Sequence, residues 1–96
     1  MGIKELIRPK RDKILEIALR HGAKNIRVFG SVARGEAGPD SDIDFLIDVG
    51  TVRSSWFPAG LILDLEDLLK RKVEVITEAS LYHALKDRIL KEAVPL

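Results

Sequence analysis

The segment 43–49, IDFLIDV, constrains the fold more than any other stretch of the chain. In an extended backbone Ile43, Phe45, Ile47 and Val49 point to one side, and Asp42, Asp44, Leu46 and Asp48 to the other. Such a strand belongs in a sheet with one face against a hydrophobic layer and carboxylates on the opposite face. A chain of 96 residues has room for one domain, so the covering layer must come from its own helices.

Those helices are legible in the periodicity. Residues 9–21 carry Ile14, Leu15, Ala18 and Leu19 at helical spacing, with Gly22 as a natural C-cap. Ile3, Leu6 and Ile7 read as a separate short turn before Pro9. Residues 25–29 (NIRVF) form a strand that ends at Gly30-Ser31, and Gly35, Gly38 and Pro39 mark a loop before the second strand. After a loop over 50–57, residues 58–70 form an amphipathic helix with Leu61, Ile62, Leu65, Leu68 and Leu69 inward. Residues 73–76 (VEVI) make a third strand. Thr77 or Ser80 caps a last helix running to about Ala93, with Leu81, Leu85, Ile89 and Leu90 on its apolar side and Pro95 stopping it. The order α-β-turn-β-α-β-α predicts an α/β (α+β) domain over residues 1–96. Its core is a small mixed β-sheet with helices packed on one face.

Composition removes whole classes of chemistry. The chain has no cysteine, which excludes disulfides, thiol nucleophiles, zinc fingers and iron–sulfur clusters. The longest aliphatic run, Leu61-Ile62-Leu63, is far short of the ~18 residues a membrane span requires. The N-terminus lacks an apolar signal region, so a cytoplasmic protein is expected. Residues 1–27 carry eight Lys or Arg against three acidic residues. This excess reads as a solvated helix face rather than a nucleic-acid surface.

Residues 36–48 are the opposite, with Glu36, Asp40, Asp42, Asp44 and Asp48 and no base. Asp42 and Asp44 share the open sheet face, and strand alternation puts Glu74 of the third strand there too. Neighbouring strands lie ~4.8 Å apart, so three such carboxylates can converge. Without a cation they repel and raise one another's pKa. Oxygen donors with no His or Cys suit Mg²⁺ or Mn²⁺ rather than Zn²⁺. Gly30 and Ser31 end the first strand, where glycine permits close backbone approach to an anion and serine adds a hydroxyl donor. Arg34 adds a cationic fork, or pairs on the surface with Glu36 or Asp40. Phosphate donors beside a metal site suit phosphoryl or nucleotidyl transfer with two metal ions.

The run GSVARGEAGPDSDID resembles the signature of the DNA polymerase β-like nucleotidyltransferases: glycine–serine, ten residues, then a paired Asp-x-Asp. The fuller pattern, continuing through LILDLEDLLKRKVEVIT to RILKEAV, is similar to the minimal nucleotidyltransferases over residues 10–95. That resemblance implies the polymerase β-like fold, with Asp42 and Asp44 binding two Mg²⁺ and Glu74 in the place of a third carboxylate, usually Asp. Gly30 and Ser31, with Arg34, would hold the triphosphate of ATP.

Many minimal nucleotidyltransferases resemble the antitoxin half of a pair with a helical HEPN toxin, which they adenylylate on a tyrosine. The expected function is therefore AMP transfer from ATP to a partner hydroxyl, alone or in a homo- or hetero-oligomer. The rivals are a catalytically weak scaffold that masks the toxin by binding, and an enzyme acting alone on a small molecule or RNA. The chain has no room for an acceptor-holding domain, which disfavours the last.

Other notable residues read as structural. Asp48 lies ~13 Å along the strand from Asp44, and Ser41 shapes the turn before the strand. His21 and His83 receive no catalytic role. Trp56 and Phe57 are expected to pack against the following helix rather than stack on a base. Tyr82 and His83 fit a partner surface.

Overall fold

The computed structural model describes residues 1–52 and 55–96. In chain order its elements are α1 (Ile3–Leu6), a 3-10 turn (Arg8–Lys10), α2 (Arg11–Arg20), β1 (Ala23–Phe29), α3 (Gly30–Ala33) and β2 (Ile43–Val49). There follow α4 (Ala59–Leu69), β3 (Val73–Thr77), a second 3-10 turn (Glu78–Ser80), α5 (His83–Glu92) and β4 (Val94–Pro95). The strands form one mixed sheet in the order β3-β2-β1-β4, with β2 parallel to β3 and antiparallel to β1.

The alternation of β2 is realised as read. Ile43, Phe45 and Ile47 are buried in one core with Ile14, Ile17 and Ala18 of α2 and Leu61 and Leu65 of α4. Ile7 and Val32 close that core. Leu65 is 2% exposed. Leu65→Ala should cost roughly 2–5 kcal/mol, read as a lowered denaturation midpoint with an unchanged m-value.

Element ends differ from the periodicity in physically intelligible ways. Pro9 falls in the 3-10 turn, and Lys10 leaves helical geometry at φ −115, so α2 begins at Arg11. β1 starts two residues earlier than expected because it carries an irregularity. Asn25 adopts φ 52 where the register shifts between Lys24 and Arg27, and its side-chain amide donates to Asp48 at 3.0 Å. The last helix starts at His83, since Leu81 and Tyr82 are extended. None of its residues is fully buried, and Leu85 is 48% exposed rather than packed inward. Pro95 lies in an unexpected fourth strand. It pairs opposite Arg27 at the sheet edge, where a residue without an N–H is tolerated, and Leu96 N–H donates to the Ile26 carbonyl at 3.0 Å.

The second face of the sheet carries buried residues beside the carboxylates. Leu46 and Phe29 lie on it and are buried. Beside them Arg27 is a buried cation held by Asp48 at 3.1 Å, Glu78 at 2.7 Å and the Asn25 carbonyl at 3.0 Å. The basic N-terminal residues are otherwise exposed, as a solvated face requires; Arg27 is the exception. Asp48 is thus structural. So is Ser41, whose hydroxyl accepts from Gly38 N–H at 2.9 Å. Trp56 departs from expectation: it stands 74% exposed, while its neighbour Phe57 packs on the core.

Candidate active site

Two strand ends and one turn meet at Asp44. In the parallel β2–β3 ladder Asp44 is the direct partner of Glu74, and in the antiparallel β1–β2 ladder it is the partner of Phe29. Gly30 follows Phe29, so the turn out of β1 lies against the Asp44 side chain. Gly30 has φ +75, and a β-carbon there would overlap Asp44 Oδ2. Glycine is required twice over, by backbone conformation and by space. Gly30→Ala should therefore cost about 1–2 kcal/mol from left-handed strain, with the displaced carboxylate adding to it. Urea denaturation would show it; a wild-type midpoint would mean the turn has room to relax.

The electrostatics match this crowding. Asp44 is half-buried, and its pKa is pushed up to about 6 by burial first, then by contact with Glu74 and by the charges of Asp42 and Glu92. Asp42 stands just before β2 and is exposed. It contributes charge to the pair without closing on it, and among the described residues no group of three metal-ligating side chains forms a finished cage. The arrangement is a carboxylate pair with a third carboxylate nearby. An all-oxygen donor set under mutual repulsion fits a hard divalent cation, which would relieve that repulsion.

Gly30 and Ser31 open α3, and both are partly accessible. Arg34 caps the same short helix. Its Nε donates to Glu36 at 2.6 Å and its Nη1 to Glu92, and these two carboxylates raise its pKa. The alternative partner Asp40 is not among its contacts. The structure brings Asp44, Glu74 and the Gly30 turn together; Asp42 acts on Asp44 by charge, Arg34 is tied to Gly30 through Glu92, and Ser31 follows Gly30 in the turn.

Glu92, on the last turn of α5, is the residue that sequence reasoning missed. Its Oε2 accepts from Gly30 N–H at 3.0 Å and its Oε1 from Arg34. Burial disfavours its charge, but Arg34 and the Gly30 N–H outweigh that and hold its pKa below the ordinary carboxylate value. A signal existed: an acidic residue in a helix's last turn opposes the helix dipole and needs a compensating partner. His21, assigned no catalytic role, bonds Asp64 at 2.7 Å on the opposite, helical side.

Known proteins resemble this chain in sequence and in fold. A family model described as the nucleotidyltransferase domain matches residues 11–96. A protein of Methanocaldococcus jannaschii, provisionally named a protein adenylyltransferase, is 44% identical over 94 residues, covering 98% of this chain and 97% of that protein. The protein adenylyltransferase MntA of Thermococcus cleftensis is 38% identical over 79 residues, covering 82% of this chain and 80% of that one. A solved structure, provisionally described as a minimal nucleotidyltransferase, superposes at TM-score 0.85 with 44% identity over 100% of this chain and 97% of that chain. A toxin–antitoxin crystal structure with AMP-PNP shares the fold at TM-score 0.74 and 20% identity, over 88% of this chain and 69% of that chain. Similarity that runs almost end to end, in sequence and in fold, places the chain in the nucleotidyltransferase domain family, among its minimal members.

Proposed function

We propose that the chain transfers AMP from ATP, in the presence of Mg²⁺ or Mn²⁺, to a hydroxyl of a partner protein, with a tyrosine of a helical HEPN-type toxin as the acceptor. The observation that carries this reading is Asp44, paired with Glu74 across the β2–β3 ladder and set directly against the Gly30 turn. Relatives named protein adenylyltransferases and a fold neighbour in a toxin–antitoxin complex support the choice of a protein acceptor.

In the reaction, the acceptor oxygen forms a bond to the α-phosphorus, the bond to the β-phosphate oxygen breaks, and pyrophosphate leaves. The hydroxyl proton passes to solvent. When bound at Asp42, Asp44 and Glu74, the divalent ions would supply charge neutralisation for the triphosphate and acidify the acceptor hydroxyl. Gly30 and Ser31 offer N–H and hydroxyl donors to the phosphates, and Arg34 offers its guanidinium. Glu74 is the exposed residue of β3, an edge strand of the sheet, which leaves it open to an external acceptor.

The test is incubation of the purified chain and its co-expressed partner with α-labelled ATP. Label should enter the partner with Mg²⁺ or Mn²⁺ and vanish with chelator. Toxin neutralisation by the wild type without any label would instead establish the masking scaffold, the reading that the Glu74 departure from the usual Asp favours.

A further inference from the structure

The last turn of α5 places a carboxylate on the donors that would otherwise face the nucleotide. Glu92 takes the Gly30 N–H with one oxygen and Arg34 with the other. A second carboxylate, Glu36, holds the Nε of the same guanidinium. A backbone N–H and an arginine fork at a glycine turn are the donors that recognise a phosphate oxygen. Both are engaged by one side chain, which lies 62 positions from Gly30 and 58 from Arg34 in sequence.

Glu92 is 20% exposed at its side chain, so the contact is partly accessible to solvent and to a competing anion. Its charge also adds to the negative field at Asp44, so while in place it works against loading of an anionic nucleotide. Charge-assisted contacts of this kind are worth more than neutral ones, so giving them up weakens whatever binds in their place.

We propose that Glu92 is an internal competitor of the nucleotide, a latch whose carboxylate occupies the phosphate donors of Gly30 and Arg34 in the empty protein and is displaced when the triphosphate binds. This rests on the nucleotide site proposed above and assigns it a residue that sets its affinity. Loading then costs the enzyme two contacts, and α5 gains freedom at its C-terminal end. Because β4 follows α5 directly and pairs with β1, release of Glu92 also reports nucleotide occupancy to the sheet edge.

Glu92→Gln is the direct test. The Gln carbonyl still accepts from Gly30 N–H, but the charge that holds Arg34 is gone. Calorimetry with the full chain and Mg²⁺ should show ATP binding tightened by roughly tenfold, about the worth of one charge-assisted hydrogen bond. Binding of adenosine, which has no phosphate, should be unchanged. ATP affinity equal to or weaker than wild type would overturn the latch and make Glu92 a strut. If wild type binds ATP and the variant gains nothing, the latch alone fails. If neither binds, the nucleotide reading fails with it. Should the variant not fold, a structure of the wild type with ATP decides: Glu92 still on Gly30 N–H overturns the proposal, and Glu92 released from it supports the proposal.

Discussion

Asp44→Asn is expected to lower AMP transfer by at least about a thousandfold while making the metal-free protein more stable. Both effects come from one fact, that the fold holds this carboxylate where its charge is unwelcome. Burial, Glu74, Asp42 and Glu92 push its pKa from 3.8 to about 6. A folded-state value above the unfolded one means the native protein binds this proton more tightly. The contribution is fully present below 3.8 and is lost as pH rises through about 6. Asparagine keeps the shape and never pays the charge. The melting-temperature gain of the variant in chelator should thus be largest at neutral pH and near zero at about pH 4. Divalent cation should stabilise the wild type at neutral pH and leave the variant unmoved. A gain of equal size at both pH values would mean that Asp44 is not under electrostatic strain, and wild-type transfer by the variant would remove it from the site.

The parts of the fold set by side-chain alternation were legible because a two-residue or 3.6-residue period leaves little choice of face. β2 shows this: Ile43, Phe45 and Ile47 are buried, while Asp44 and Asp48 lie opposite. Alternation also put Glu74 beside Asp44, since partners in a parallel ladder share a face. What escaped was set by long-range pairing of short or irregular segments. Two residues, Val94 and Pro95, carry no periodicity, and their pairing with β1 depends on where α5 delivers them. Leu81 and Leu85 have helical spacing, but Leu81 precedes the helix and Leu85 faces outward. Glu92 was hidden for the same reason, because its partners Gly30 and Arg34 are remote in sequence. Trp56 stays exposed although an aromatic after a strand usually finds a core. Its position is where local pattern alone gave the wrong environment.

Glu74 is the residue expected to separate nucleotide binding from transfer. It is the Asp44 partner in the β2–β3 ladder, yet it is exposed and on an edge strand of the sheet, while the side chain set against Gly30 is that of Asp44. The proposed phosphate donors are Gly30, Ser31 and Arg34, and the contacts of Gly30 and Arg34 run to Glu92 and Glu36 rather than to Glu74. Glu74→Gln should therefore leave the ATP dissociation constant within about threefold of wild type and cut AMP transfer by roughly a hundredfold or more, because a neutral amide is a poor ligand for the ion that would activate the acceptor. Glu74→Asp preserves the charge on an arm one methylene shorter and matches the residue usual in the family. It should keep substantial transfer, and a rate above wild type would show that the longer arm costs this chain turnover. Calorimetry with ATP and labelled-AMP incorporation, run on the same preparations, separate the two steps. Parallel loss of binding and transfer would make Glu74 part of the nucleotide pocket, and no change in either would leave Asp42 and Asp44 to carry the chemistry alone.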